Sequence, residues 1–442
     1  MPCRAPTHRA AYAWKHDRWR RVPPSQSVGC SKQSPVARRF SWERTADVDR
    51  LRYLAQPLLS GEEITLSHHA RYAHDLTPND FEPPFDGIVE DVVQKGYVLH
   101  ESLSDYMRPQ WKQRSLEILI VDDPSLNACV TYDDGRDQVS IFRGAFEHIY
   151  GTILGLLSTP AFFPAIGNAE AEMPFPNLPR EGFARVPVLR DASNRDPDTP
   201  VRFPNDQTRM TVAQILADLA LEFLVYHEIG HIVGGHLEIL QGNQRLASIS
   251  EFEQAIDNPA DYAFRHVLEC DADAFACHVT SGVHTNDKMA ALVRDLVNAS
   301  KWHSKDFALL TYLMAIGILF RVLHPHATAN ISESKSSHPH PAVRACLVAS
   351  STVARAVFAG AITWSRVNDI MKDSVRNIED VWAGLFLPGH NPEPPELWAQ
   401  HVGSTAMGLF RSYGNARALL DRYARLPRRW DDWKWPETSS SV

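Results

Sequence analysis

The sequence predicts an α+β protein that is mostly α-helical, with one small β-sheet or hairpin ahead of its longest helix. Three observations support this fold class. Apolar residues recur at helical spacing over most of the chain after residue 46. Short β-branched runs typical of strands occur at residues 116–121 and 138–142. Residues 158–205 hold nine prolines and no sustained periodicity, which separates the strands from the helices that follow.

The elements are predicted along the chain from this periodicity. Residues 46–107 are expected to be helical, because apolar residues there repeat at helical spacing. The two strands are expected to form a hairpin, with turn residues Asp133-Asp134-Gly135 between them. A long helix is expected from Thr208 to Leu240, with an end loosened by Gly234-Gly235. The other predicted helices lie at about 144–157, 261–281, 286–299, 304–323, 340–360, 362–380 and 394–425.

Composition limits the class of protein. The chain has 442 residues, 44% of them hydrophobic, and a net charge of −8, all ordinary for a globular protein. Six scattered cysteines without a CxxC pair favour free thiols in a reducing compartment. We find no secretory signal, and the longest apolar run, Phe307 to Phe320, has 14 residues and is too short for a membrane span. We therefore expect a cytoplasmic protein without a transmembrane segment.

The N-terminal 45 residues are basic, with ten Lys or Arg and only Asp17 and Glu43 as acids. Low hydrophobicity with high charge predicts a disordered tail or an upstream extension. An organellar transit peptide is a second interpretation. A nucleic-acid-binding arm, with Trp14 and Trp19 among its basic residues, is a third. Apart from that arm, no nucleic-acid partner is expected.

The chain is accordingly divided into four parts. Residues 1–45 form the basic segment, and 46–350 form the main domain. Residues 351–425 are expected to be a C-terminal helical extension, and 426–442 a tail. Within the main domain, the proline-rich insert 158–205 is predicted to be either a lid over a functional site or a solvated surface loop, because structureless connections of this length are unusual in compact domains.

The long helix contains the run His227-Glu228-Ile229-Gly230-His231. The two histidines are four residues apart, so they lie on one face of a helix one turn apart and can share a metal ion. Glu228 projects beside them, where a carboxylate can accept a proton from a metal-activated water. The flanking residues are apolar, so the histidines are expected to be buried and to need polar partners.

A second helical stretch is expected to complete the metal site. Glu269 follows His231 by 38 residues and is the natural third ligand, since a catalytic zinc takes three protein ligands and keeps one open position. Asp273 lies one turn further on and can hydrogen-bond a ligating histidine. Gly230 and the small Ala272 favour close packing of the two helices. The sequence thus predicts one Zn²⁺ per chain.

Three neighbouring residues are assigned away from the metal. His236 comes one residue too early for a third histidine ligand of the metzincin pattern, so it is expected to be exposed or to contact a ligand. Cys270 and Cys277 lack a conventional ligand spacing with the histidines and are assigned to the core.

These motifs resemble those of the M48-type (gluzincin) zinc metallopeptidase family. The run from His227 to His236 is similar to that family's active-site helix, and Glu269 to Asp273 is similar to its Glu-x-x-Ala-Asp motif. Segments 118–128 and 139–144 resemble its strand, Asn-Ala segment and hairpin, and 337–344 resembles its His-Pro-x4-Arg motif. The resemblance covers roughly residues 115–350 and implies a zincin-like core with a hairpin ahead of the active-site helix.

The resemblance also implies roles for residues outside the metal ligands. His338 would lie near the zinc and help to stabilise the oxyanion or cap the metal at rest; alternatively, it is simply part of the start of a helix at Pro341. Arg344 is expected to pair with a carboxylate near the site, such as Asp273. A polypeptide substrate would lie extended near Asn127 and Ala128 and add a strand through backbone hydrogen bonds.

The leading functional prediction is a cytoplasmic zinc endopeptidase, a hydrolase in which Glu228 acts as general base. A phage-exclusion or host-directed regulatory metalloprotease is the alternative within this class. A catalytically silent binding protein that keeps the zinc fold is an alternative from another class. A nucleic-acid-associated protein, led by residues 1–45, is the third alternative.

Overall fold

The computed structural model describes residues 76–81, 85–112, 114–133, 135–172, 203–242, 248–250, 259–284, 304–324, 338–358, 360, 362–371, 374, 378–379, 381–382 and 395–426. The helices are α1 (Phe85–Ser104), α2 (Arg143–Leu157), α3 (Gln207–Gly234), α4 (His236–Gly242), α5 (Pro259–His284), α6 (Ser304–Leu323), α7 (Pro341–Phe358), α8 (Trp364–Met371) and α9 (Pro395–Tyr423). The strands are β1 (Ser115–Val121), β2 (Ala128–Asp133), β3 (Arg136–Phe142) and β4 (Ser248–Ser250).

The described elements confirm a mostly helical α+β fold with one small sheet. Some predictions lie outside the described residues. These are the basic segment 1–45, the helical pattern before residue 76, the helix at 286–299 and the tail beyond residue 426.

The sheet has the strand order β1-β3-β2-β4, which corrects the predicted hairpin. β3 pairs antiparallel with β2 and parallel with β1, so the hairpin is formed by β2 and β3 rather than by the two predicted strands. Gly135 has a φ of +80° and makes the tight turn between them. β2 was missed because it merges directly into the polar turn, and β4 because it has only three residues.

α1 approaches the sheet and α3 closely through Gly96. A Cβ atom at this position would lie 2.6 Å from Cδ1 of Ile118 on β1 and 3.0 Å from Cγ1 of Val225 on α3. Ile118 and Val225 are both buried. The glycine therefore brings one helix, the sheet and the histidine-bearing helix into a single hydrophobic core.

α3 begins and ends at residues suited to those positions. Asp206 caps its start by accepting a hydrogen bond from the amide of Arg209 at 3.0 Å. Gly235 ends it in the left-handed conformation with a φ of +68°. A Cβ atom at Gly235 would lie only 2.1 Å from the carbonyl oxygen of Tyr423, at the end of α9. The long predicted helix is therefore broken at Gly235, and α4 leaves in a new direction.

Just beyond the end of α9, the C-terminal extension packs on the rest of the chain. The Arg425 amide donates to the carbonyl of Val233 at 2.8 Å, and its buried guanidinium contacts Asp137 on β3 and Glu238 on α4. Burial opposes the charge of Arg425, but its contacts with these two acids outweigh burial and raise its pKa. The end of α9 is thus attached to the last turn of α3.

Residues on either side of the undescribed part of the proline-rich insert meet at the start of α3. Glu172 accepts hydrogen bonds from the amides of Asn205 and Asp206, both at 3.0 Å. His227 lies eighteen residues beyond Arg209, or about 27 Å along the helix at 1.5 Å per residue. Residues 173–202 lie outside the described part, so the choice between a lid and a surface loop stays a prediction.

The Arg209 guanidinium donates to the carbonyls of Leu157, Thr159, Phe162, Phe163 and Ile166.

The expectation that no segment could span a membrane is wrong. Three helical segments are long and apolar enough to do so by length and composition: Gln207–Gly234, Asp306–Leu323 and Pro341–Phe358, with mean hydropathies of 1.2, 1.8 and 1.2. These segments contain a few charged residues, so none of them is an uninterrupted apolar run. The protein itself buries 72%, 100% and 61% of these windows. The cytoplasmic location stays a prediction.

We expect Gly144→Ala to destabilise the protein by about 1–3 kcal/mol, because an added Cβ would overpack this position. That Cβ would lie 2.2 Å from the carbonyl oxygen of Ser125 and 2.3 Å from that of Pro124. Gly155→Ala in the same helix is the control, since no atom lies within 4 Å of its Cβ position. Urea unfolding of both variants checks the prediction, and equal effects would contradict it.

Candidate metal centre

His227 and His231 lie side by side in the buried half of α3. Their exposed fractions are 1% and 0%, and the two Nε2 atoms are 2.9 Å apart. Gly230 lies between them in the sequence, and a Cβ atom there would be 3.0 Å from the Cα and carbonyl oxygen of Ala272 on α5. The close approach expected from the sequence is therefore present, and it brings the next helix against the histidines.

Glu269 on α5 completes a three-residue cluster with the histidines. Its Oε2 lies 3.3 Å from Nε2 of His227, and its Oε1 lies 3.6 Å from Nε2 of His231. The ligand atoms of all three residues lie within 4.8 Å of one another. Tetrahedral bonds of about 2.1 Å would hold such atoms about 3.4 Å apart, so the donor set fits a metal ion of zinc's size.

Asp273 holds His227 from the side opposite the cluster. Its Oδ1 lies 2.9 Å from Nδ1 of His227, and both its oxygens accept hydrogen bonds from Arg344 at 2.8 and 2.9 Å. Burial alone would raise the pKa of Asp273, but the charge of Arg344 and the contact with His227 lower it below its usual value. The carboxylate stays ionised and accepts a hydrogen bond from Nδ1–H of His227. The Nε2 lone pair of His227 then faces Glu269. These are the contacts expected from the sequence for Asp273 and Arg344.

His231 is held in the same way by a chain of hydrogen bonds. Its Nδ1 lies 2.8 Å from Nδ1 of His236, whose Nε2 lies 2.8 Å from Asp271. Tyr413 on α9 donates to the other oxygen of Asp271 at 2.9 Å. With Asp271 ionised and His236 neutral, His236 donates to Asp271 through Nε2 and accepts a hydrogen bond from Nδ1–H of His231. His231 therefore also directs an Nε2 lone pair into the cluster.

His236 is fully buried, so the prediction that it contacts a ligand is confirmed and the exposed alternative is wrong. Gly234 makes room for it, because a Cβ atom there would lie 2.5 Å from Nε2 of His236. Asp271 and Tyr413 were missed from the sequence. Tyr413 is 142 residues away along the chain, and only the packing of α9 on α5 brings it to the site.

Glu228 is buried beside the cluster and close to β2. Its exposed fraction is 1%. Burial, and then the negative charge of Glu228, raises the pKa of the Cys129 thiol on β2 to about 12. The carboxylate thus lies between α3 and the sheet, and Cys129 stays a neutral thiol at physiological pH.

His338 lies at the edge of the cluster and also begins a helix. Its Nε2 is 3.5 Å from Oε2 of Glu269, and its ring centroid is 5.0 Å from that of His324. The helix α7 starts three residues later, at Pro341. The position of His338 therefore agrees with both predictions, a place near the metal cluster and the start of a helix. Its chemical role stays a prediction.

The region of β2 predicted to bind substrate is already partly paired. Ala128 is fully buried opposite Ile141, and the Asn127 carbonyl accepts from the amide of Phe142 at 3.0 Å. On the other edge of β2, β4 pairs antiparallel with residues 129–131. The sequence did not predict this fourth strand. A substrate strand at residues 129–131 would require β4 to leave, while binding at Asn127 and Ala128 stays a prediction.

No family model, curated protein or solved structure matches this chain. Assignment of the protein to a peptidase family therefore depends on the sequence motifs and on the geometry of the cluster alone.

We expect Asp271→Asn to weaken zinc binding by about 10-fold, because Asp271 holds His236, which in turn orients His231. The amide is a poorer acceptor for His236, so the orientation of His231 is less well fixed. Competition with a chromogenic chelator measures the affinity. Asp369→Asn, at an exposed site on α8, is the control. Wild-type zinc affinity in folded Asp271→Asn would contradict the prediction.

Proposed function

We propose that this protein is a zinc-dependent endopeptidase with a zincin-like core. The observation that carries the proposal is the pair of Nε2 atoms of His227 and His231, which face each other at 2.9 Å beside the Glu269 carboxylate. Two acids on α5 hold these histidines, Asp273 directly and Asp271 through His236, and leave both Nε2 atoms as hydrogen-bond acceptors. These two atoms and the Glu269 carboxylate are three acceptors so close together that they require a cation between them. A proton on one histidine is the simplest rival to a metal ion, and a metal assay separates the two.

The donor set favours zinc in a catalytic rather than a structural site. Structural zinc sites usually have four protein ligands, whereas two histidines and one glutamate with an open position are typical of zinc peptidases. Glu228 supports the same conclusion. A buried carboxylate is costly, and a purely structural site has no use for a base at this position.

The chain's own residues divide the chemistry between them. Zinc held by His227, His231 and Glu269 would activate a water molecule and polarise the scissile carbonyl. Glu228 accepts the proton of the attacking water and passes it to the leaving amine. His338, at the edge of the cluster, donates a hydrogen bond to the negative charge that develops on the carbonyl oxygen. Asp273 with Arg344, and His236 with Asp271, keep the two histidines in the tautomer that binds metal.

A catalytically silent binding protein is the second candidate, and β4 is the observation that favours it. This strand pairs with the edge of β2 on which a substrate strand would otherwise form. A phage-exclusion or host-directed regulatory protease remains the alternative within the peptidase class, and identification of the cleaved substrate distinguishes it.

We expect Glu228→Gln to reduce hydrolysis of casein or a quenched-fluorescence peptide by about 10²–10⁴-fold, because it removes the general base. The variant should still bind one zinc, since Glu228 is not a ligand. Glu90→Gln on the exposed face of α1 is the control and should keep wild-type activity.

Three results would change the proposal. Zinc without activity in the wild-type protein would favour the silent binding protein. Equal activity of wild type and Glu228→Gln would remove Glu228 from the mechanism. Absence of zinc after reconstitution would mean that the cluster holds a proton and that the metal assignment is wrong.

A further inference from the structure

A cavity of about 170 Å³ is lined by residues of α5, α7 and α9. Cys270, Asp273, Ala274 and Cys277 contribute its α5 wall, at the spacing of one helix face. α7 and α9 supply the other walls. His227, His231 and Glu269 are not among the lining residues of the cavity, although Asp273 both lines it and contacts His227.

The cavity walls are mainly apolar and suited to a small hydrophobic group. Leu347, Val348 and Leu409 line it, and the exposed residues Phe410 and Gly414 lie where α9 reaches the surface. An apolar cavity of about 150 Å³ in a protein core is large enough to bind benzene. A single aromatic ring or a short aliphatic chain therefore matches the available volume.

Two arginines contribute guanidinium groups to the walls of the same cavity. Arg355 on α7 and Arg417 on α9 both line it. The acid in its wall, Asp273, is already ion-paired with Arg344, and Asp421 offsets part of the charge of Arg417 at 3.6 Å. The charge of Arg355 also acts inside the walls, because it lowers the pKa of the Cys277 thiol, which burial raises. A carboxylate on the ligand matches these guanidinium groups better than a neutral group does, because it can accept paired, charge-assisted hydrogen bonds from them.

We propose that this cavity is a binding site for a small carboxylate with an aromatic or short aliphatic tail. The tail lies among the apolar side chains of α7 and α9, and the carboxylate lies against Arg355 and Arg417. Two residues that line the cavity also contact the supports or ligands of the metal cluster. Tyr413 donates a hydrogen bond to Asp271, and Asp273 contacts His227 directly. The site itself does not depend on the proposed peptidase activity.

Fluorine NMR with para-fluorophenylacetate tests the proposal on the full-length protein, with para-fluorophenylacetamide as the uncharged probe. We expect saturable binding of the carboxylate that is at least about tenfold tighter than that of the amide. Arg355→Gln should reduce this preference for the carboxylate.

A matched pair of glycine variants shows where the probe binds. A Cβ atom at Gly414 or at Gly408 meets nothing within 4 Å, and both residues lie in α9, but only Gly414 lines the cavity. Leucine at either position should fold, since glycine is unfavourable within a helix. Gly414→Leu should abolish carboxylate binding, and Gly408→Leu should not.

The proposal is wrong if the wild-type protein binds neither probe, or binds both equally. It is also wrong if Gly414→Leu binds the carboxylate as the wild type does. Because binding is observed directly, these results are independent of whether the protein hydrolyses peptides.

Discussion

The candidate site depends on one packing contact, the approach of α5 to α3 at Gly230. With no side chain at this position, the backbone of Ala272 comes within van der Waals distance of α3. One turn of α5 then carries three buried acids to the histidine-bearing side of the site, where each contacts a histidine. Glu269 contacts both histidines directly, Asp271 acts through His236, and Asp273 contacts His227. A larger residue at Gly230 would separate every one of these pairs.

Two of these buried acids, Asp273 and Asp271, are tolerated because each has a defined hydrogen-bond partner. Asp273 is ionised by its bidentate contact with Arg344, and Asp271 accepts hydrogen bonds from His236 and Tyr413. Burial of a charge without such partners would be strongly unfavourable. The resulting network has a direction: protons point outward from the cluster to the acids, and lone pairs point inward. That polarity is a stronger argument for a bound cation than the residue types alone.

The C-terminal helix α9 contributes to both proposed sites. Its Tyr413 ends the hydrogen-bond chain from His231, and the same side chain lines the cavity formed by α5, α7 and α9. Gly235 makes this arrangement possible, because the end of α9 lies against its backbone. The apolar composition of α3, α6 and α7 fits their positions in the protein, because other parts of the chain bury most of their surface. Length and hydropathy alone do not distinguish such helices from membrane spans.

The sequence by itself determined the helical periodicity, the strands β1 and β3, and the shared helix face of His227 and His231. Local spacing decides such features, because residues four apart on a helix must share a face. Tertiary structure alone decided the parallel pairing of β1 with β3, the added strand β4 and the hydrogen-bond chain to Tyr413. These depend on contacts between segments far apart in the chain, and periodicity carries no information about which distant segments will meet.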